Sequence, residues 1–243
     1  MERKGPSWQQ SSQFRQVVTR RADLVRPFAL FSELPDEDRE KIVGVAYEER
    51  HRRGKTIFFS GDPITRIILL TSGLIRVSQM GLHGAEVILR FVAPGESLCL
   101  ECFPKYTHCS TAQAVEDSTA LIWEASQFQA LRERFPVLGR NVSCVLLQTL
   151  RELGARYREI STNKVSSRLS QELLRLHRRV GKQPDEPLEI ALSQRDLAQS
   201  IGTTIYTVNR LLNAWEEQGI LRPKREAVQL IDIPALRKLA EAE

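Results

Sequence analysis

Residues 192–221, LSQRDLAQSIGTTIYTVNRLLNAWEEQGIL, decide how the rest of the chain is read. Ser193 can cap a helix, and Asp196 three residues later completes an S-x-x-D capping box. Leu197 and Ile201 then put apolar weight on one face. Gly202 follows, where the backbone must leave the helix and the absence of a Cβ costs least. Thr203 or Thr204 can cap a second helix, whose Val208, Leu211, Leu212 and Trp215 recur at helical spacing. Ile205, Tyr206, Asn209, Arg210 and Asn213 fall on its other side, and packing cannot hide both Ile205 and Tyr206 in the first turn. Two short helices around a Gly turn predict a helix-turn-helix whose second helix enters a DNA major groove, first turn leading. An ordinary αα-hairpin has the same periodicity, but the residues that follow favour the DNA reading. Gly219-Ile220-Leu221 closes the second helix, and Arg222-Pro223-Lys224-Arg225 reads as a basic hairpin tip. Val228 to Ile231 is a short strand, and a last helix is expected over 232–243. Together these predict a winged helix.

The chain has 243 residues, enough for two modest domains with separate cores. With 42% hydrophobic and 27% charged residues, its composition is that of a soluble globular protein. The net charge of +5 is unevenly spread: residues 1–30 carry 6 Lys and Arg against 2 Asp and Glu, whereas residues 163–243 carry 13 against 11. DNA binding must therefore rest on local clustering of cations rather than on bulk charge. No apolar run approaches the length of a membrane span, and the Arg-, Gln- and Ser-rich first residues lack the apolar stretch of a secretory signal. Residues 1–25 are expected to be a flexible arm. A cytoplasmic location follows, where the four cysteines meet a reducing environment that disfavours structural disulfides.

Upstream of the helix-turn-helix, Leu34-Pro35 leads into a helix with Asp36, Glu37 and Asp38 in its first turn. From Tyr47 the pattern becomes short strands broken by turns: 55–60, 66–71, 74–79, 86–92, 111–115 and 119–123. Strands at this spacing predict a compact β-barrel or jelly roll. Strand signals stop at Glu124, a short helix covers 126–135, and Pro136 opens a long one. Its stripe, Leu138, Val142, Val145, Thr149, Glu152 or Leu153, Arg156 and Ile160, is apolar early and polar later. A half-apolar helix between two domains predicts a helix–helix dimer interface, with a lone interdomain connector as the other reading. The organisation expected is an α+β chain: arm 1–25, effector-sensing β-barrel 26–134, dimerisation helix 135–162 and winged-helix domain 163–243.

This order, with Gly54-Lys55-Thr56-Ile57-Phe58, Gly61-Asp62-Pro63, Gly73, Pro94-Gly95-Glu96 and the Thr207-Val208-x-Arg210-Leu211-Leu212 core, resembles the Crp/Fnr family of transcription regulators over roughly residues 26–240. The resemblance implies a jelly-roll barrel of the cyclic-nucleotide-binding type and a homodimer on a two-fold-related site in double-stranded DNA. It also implies RNA polymerase as a partner and an effector pocket around Gly95, Glu96, Ser97, Leu98, Cys109, Ser110 and Leu153. In members that bind cyclic nucleotides, an Arg beside a small residue follows the Gly-Glu pair and holds the cyclic phosphate, a task suited to a guanidinium. Residues 97–114 contain no Arg; His108, Cys109 and Ser110 stand near its place, and Lys105 comes too early. Leu153 and Gly154 replace the hydroxyl pair that would face the base. Cyclic AMP is therefore not the expected effector.

Cys99, Cys102 and Cys109, spaced C-x2-C-x6-C, with Cys144 on the long helix, resemble the iron–sulfur pattern of oxygen-sensing relatives. In those relatives, however, the first three cysteines lie before the barrel. Heme-sensing relatives use a Cys or His near this point, which makes Cys99 and His108 candidates, and thiolates with imidazole suit iron or zinc. A metal-, heme- or thiol-based sensor through Cys99, Cys102, His108, Cys109 and Cys144 stands beside a plainer reading. In that one the cysteines are small hydrophobes, His108 sits on a surface loop, and the effector is organic.

In family members that read G-rich half-sites, Arg and Glu stand where this chain has Ile205 and Tyr206. Ile205 can press only on a thymine methyl, Asn209 can read adenine, and Arg210 can read guanine or clamp a phosphate. Thr203, Thr204 and Thr207 lie at a helix N-terminus suited to phosphate, and Arg195, Lys224 and Arg225 are expected backbone contacts. An enzyme is disfavoured: His51, His83, His108 and His177 show no ligand spacing, and neither a G-x-S-x-G nor a phosphate loop is present. A regulatory module acting on a protein partner is the remaining rival.

Overall fold

The computed structural model describes residues 12–82, 84–100, 106–181, 183 and 185–241. Helix α1 (Ser12–Val25) packs on α2 (Asp36–Gly44), with a single 3-10 turn (Ala29–Phe31) between them. Val18, Ala22 and Val25 are buried, and Arg21 Nη1 donates to Ala46 O at 2.8 Å. This corrects the expected arm: over residues 12–25 the chain is helical and anchored, because its three buried apolar residues recur at spacings of four and three and cover α2. Residues 1–11 lie outside the described residues.

Among the described residues eight strands follow: β1 (Tyr47–His51), β2 (Thr56–Phe58), β3 (Arg66–Ser72), β4 (Ile75–Met80), β5 (Glu86–Val92), β6 (Ser97–Leu98), β7 (Thr111–Ala114) and β8 (Ser118–Glu124). They form two four-stranded sheets, ordered β1-β8-β3-β6 and β2-β7-β4-β5, with every pairing antiparallel. This is the expected jelly roll. Strand β1 carries the polar sequence Tyr-Glu-Glu-Arg-His and β6 has only two residues, so neither shows an apolar alternation in the sequence. Trp123 sits in the centre of the core among Phe31, Phe128 and Ile42, and its Nε1 donates to Ile42 O at 2.8 Å, tying α2 to the sheet.

Helices α3 (Ala125–Arg134) and α4 (Pro136–Thr162) come next, α4 starting on the proline at its first position. The C-terminal part consists of α5 (Val165–Val180), β9 (Leu188–Ile190), α6 (Gln194–Ile201), α7 (Ile205–Glu217), β10 (Leu221–Pro223), β11 (Val228–Leu230) and α8 (Ile233–Glu241). Strand β9 pairs antiparallel with β11, so the expected two-stranded wing is a three-stranded sheet ordered β10-β11-β9. A second core gathers Leu169, Leu173, Leu197, Ile201, Val208, Leu212 and Trp215, and it also takes in Leu74, Ile88 and Phe91 from the jelly roll. Packing is thus continuous from the jelly roll to the helix-turn-helix. Among the described residues, no helix is long and apolar enough to cross a membrane.

Candidate nucleic-acid interface and effector cavity

The capping box of α6 is complete: Ser193 Oγ accepts from the Asp196 amide at 3.1 Å, and Asp196 Oδ2 accepts from the Ser193 amide at 3.0 Å. Gly202 leaves the helix at φ +64°, in the left-handed region. Thr204 caps α7, its Oγ1 accepting from the Thr207 amide at 3.2 Å. Of the two hydroxyls considered for that cap, Thr204 is the one used. Val208, Leu212 and Trp215 are buried against α6, so the opposite face of α7 points outward. Tyr206 is 83% exposed, and Ile205, Asn209, Arg210 and Asn213 are exposed beside it. Neither the Tyr206 nor the Arg210 side chain has a hydrogen bond or ion pair among the described residues. Arg195 and Arg225 are exposed on the flanks, and Lys224 pairs with Glu189 of the neighbouring wing strand. Of the expected DNA-contacting residues, Ile205, Tyr206, Asn209 and Arg210 are exposed together on α7. Gln194, half-buried at the start of α6, donates nothing to the core and instead accepts from Asn209 Nδ2 at 2.9 Å, a contact the sequence did not suggest.

A cavity of about 280 Å³ opens between the jelly roll and the middle of α4. Ser97, Leu98, Cys109, Ser110 and Leu153 line it as expected, joined by Phe58, Arg90, Cys99, His108 and Leu146. Arg90 was missed, although a lone cation inside the apolar strand Val87-Ile-Leu-Arg-Phe-Val92 was a signal in the sequence; its Nη2 donates to Ser97 O at 3.0 Å. Ser97 Oγ is buried on this wall without a hydrogen-bond partner among the described residues, a costly state unless a ligand satisfies it. Gly95 and Glu96 do not line the cavity. They line a neighbouring cleft of about 460 Å³ with Cys144 and Thr149. Backbone bonds from Gly95 N to Leu70 O and from Leu70 N to Glu96 O lock this turn, and the Glu96 carboxylate reaches Arg179 Nε of α5 at 3.3 Å. Burial pushes the Glu96 carboxyl above the usual carboxylate range, with the guanidinium groups of Arg179 and Arg90 opposing. Glu96 thus links the jelly roll to α5 instead of reaching into this cavity.

Two family models match this chain, a cyclic nucleotide-binding domain over residues 48–135 and a Crp-like helix-turn-helix domain over residues 167–239. The chain belongs to the Crp/Fnr family. It is a DNA-binding transcription regulator of the Crp/Fnr type. It is 28% identical over 212 residues to the cyclic AMP receptor protein of Thermus thermophilus, covering 87% of this chain and 96% of that protein. It is 24% identical over 191 residues to the fumarate and nitrate reduction regulatory protein of Escherichia coli, covering 78% and 76%. In fold it is similar to FixK2 from Bradyrhizobium japonicum, with a TM-score of 0.71 at 22% identity over 82% of this chain and 99% of that one. Members of the family are regulators rather than enzymes.

Of the sensor set Cys99, Cys102, His108, Cys109 and Cys144 expected for this Crp/Fnr regulator, all but Cys102 lie within the described residues. Among the described residues, no group of three or more His, Cys, Asp or Glu side chains is placed to hold a metal ion. Cys109 and Cys144 are exposed, and Cys102 lies outside the described residues. His108 is buried and Cys109 exposed, although both border the cavity. What the fold does bring together is Cys99 Sγ and His108 Nδ1, at 3.8 Å. His108 is buried, not on a surface loop, with its ring stacked on Phe58 at 3.6 Å between centroids.

The long helix also differs from expectation. Leu138 and Val142 of the expected dimer stripe are buried within the protomer, and Val145 packs partly against the same core. The apolar side chains that α4 leaves exposed are Leu147, Leu150, Leu153, Tyr157 and Ile160. The helix thus has two apolar lines, and the sequence stripe mostly traced the one that faces its own jelly roll.

Proposed function

We propose that this regulator acts as an effector-controlled homodimer, two copies joined along the exposed line of α4 and each placing α7 in a major groove of a two-fold-related site. The observation that carries this reading is the outward face of α7: Tyr206, Asn209 and Arg210 are exposed together at the capped N-terminal half of a helix, flanked by Arg195 and Arg225. Thr203, Thr204 and Thr207 lie where the helix N-terminus attracts phosphate. A dimer that spans about 34 Å reaches two successive major-groove faces. Arg210, Tyr206, Asn209 and the methyl-seeking Ile205 favour a half-site of thymine and adenine steps with a guanine, unlike sites read by Arg and Glu at these positions.

The effector enters the cavity between the jelly roll and α4, where the Ser97 hydroxyl, without a partner among the described residues, and an apolar wall await it. The absence of an Arg between Ser97 and Ala114 supports an effector other than cyclic AMP. The regulator works in the cytoplasm and meets RNA polymerase there. Selection of duplexes from a random pool by the full chain, followed by native mass spectrometry of the selected complex, tests this. Two chains on one duplex with inverted half-sites are expected. One chain per duplex, or a site without two-fold symmetry, overturns it. Arg225→Ala is expected to weaken binding to all sequences alike and to lower the salt dependence, as loss of a phosphate contact does.

A further inference from the structure

Three side-chain amides stand in a row across the two helices of the helix-turn-helix. Asn209 Nδ2 of α7 donates to Gln194 Oε1 of α6 at 2.9 Å, and Asn213 Nδ2, one turn on, donates to Asn209 Oδ1 at 3.0 Å. Asn209 and Asn213 are exposed and Gln194 is half-buried. Hydrogen bonds between exposed amides replace bonds to water at little net gain, so the row is not explained by stability. It does have a consequence for orientation. A carboxamide offers two N–H donors and two acceptor positions on its oxygen. Asn209 uses one of each within the row, and its plane is held from both ends. One N–H and one lone pair remain on the same planar group, which is the complement of adenine N7 and N6 in the major groove. Tyr206 and Arg210, its nearest neighbours on that face, take up neither.

We propose that Gln194, Asn209 and Asn213 act as one adenine-selecting unit, in which Asn209 touches the base and Gln194 and Asn213 are positioning residues that hold its amide plane. The inference rests on α7 being the helix that enters the groove. It assigns a part in base choice to Gln194, which belongs to the first helix and lies beside the backbone-contacting Arg195.

The test is duplex selection by the full chain and by Asn209→Ala, Asn213→Ala and Gln194→Met, the last keeping length and shape while removing the amide. The wild-type protein is expected to fix adenine at one position of each half-site. Asn209→Ala should relax that preference by about 5- to 150-fold, the range of one bidentate base contact. Gln194→Met and Asn213→Ala should relax the same position by smaller factors, leaving the other positions and the salt dependence of binding unchanged. A purely structural role would instead lower affinity for every sequence equally, and that result overturns the proposal. So does an unaltered adenine preference in Gln194→Met, or a wild-type site with no adenine at the position sensitive to Asn209. If the wild-type protein enriches no sequence at all, the DNA reading of α7 falls and the amide row falls with it, an outcome distinct from the others.

Discussion

Gly73 and Gly202 both hold positive φ, +91° and +64°, yet the surroundings of the two residues differ. A Cβ on Gly73 would lie 2.2 Å from Ser118 Oγ and 2.6 Å from Ser118 Cα, a backbone atom of the residue paired with His51 across β1 and β8. A Cβ on Gly202 would meet nothing within 4 Å. Gly202→Ala should therefore cost only the left-handed strain, about 1–2 kcal/mol. Gly73→Ala adds a clash that the sheet must move to relieve, and about 3 kcal/mol or more is expected. Urea denaturation midpoints will rank them, and equal losses would contradict the geometry. His51 is a second residue-scale case. It is buried, its Nδ1 3.5 Å from Glu49 Oε1 and its Nε2 without a hydrogen-bond partner among the described residues. Burial holds its pKa below the usual imidazole value, with Glu49 opposing. A depressed folded pKa means that the neutral ring suits the fold. Its stability contribution is complete above the ordinary imidazole pKa and is lost as pH falls through the depressed folded value. Between about pH 7.5 and about pH 5 the wild-type protein should lose more stability than His51→Leu; parallel curves would remove the assignment.

At the scale of elements, α4 shows what an amphipathic pattern conceals. Leu138 and Val142 are fully covered within the protomer, whereas Leu150 is 66% and Tyr157 76% exposed on another face of the same helix. Covering a leucine contributes about 1.5–3 kcal/mol, so a partner helix laid along this line has a substantial apolar driving force. Leu150→Asp should give a monomer by light scattering with unchanged helix content by circular dichroism; a dimer that survives it is held elsewhere. Asp196 shows an element end with two roles. It caps α6 and accepts from Arg76 Nη1 of β4 at 2.7 Å. Ser193→Ala should cost about 1 kcal/mol, the usual loss of an N-cap. Asp196→Ala should cost more, since it removes both the box and the link to the jelly roll.

For the whole molecule, the question is what holds the helix-turn-helix against the jelly roll. Arg156 of α4 is buried at the junction and donates to Leu89 O of β5 at 2.8 Å, to Ser200 O of α6 at 3.3 Å and to Glu172 of α5 at 3.0 Å. Glu172, 2% exposed, also pairs with Arg175, and Arg179 joins Glu96, Glu152 and Phe91 O. At the surface, Arg53 and Glu226 bridge the jelly roll and the wing at 2.8 Å. Magnitudes separate these links. An exposed pair contributes about 0–1 kcal/mol, whereas removing one partner of a buried pair costs about 3–5 kcal/mol. Arg156→Met should fall near the lower end, because Glu172 keeps Arg175. It should also speed hydrogen exchange at β5 and α6 and enlarge the radius of gyration. Arg53→Ala should do neither. If the two variants behave alike, the buried junction is not what holds the domains together.

Local signals carried the expected order of jelly roll, long helix and winged helix-turn-helix, because each lies within a few residues of chain. Ser193 and Asp196 make a cap by themselves, Gly202 needs only its missing Cβ, and Val208, Leu212 and Trp215 share a face at any 3.6-residue pitch. By the same logic, Tyr206, Asn209 and Arg210 were legible as an outward face. What the tertiary structure decided are contacts whose partners are far apart in sequence. Arg76 meets Asp196 120 residues away, and Arg140 meets Glu33 107 away. The same holds for the turn of Glu96 toward Arg179, the pairing of the three-residue β9, the anchoring of α1 and the choice of which apolar line of α4 stays uncovered. A sequence pattern states that a face is apolar or that a residue is charged. Which surface covers that face, and which charge answers that residue, depends on distances that exist only once the chain has closed on itself.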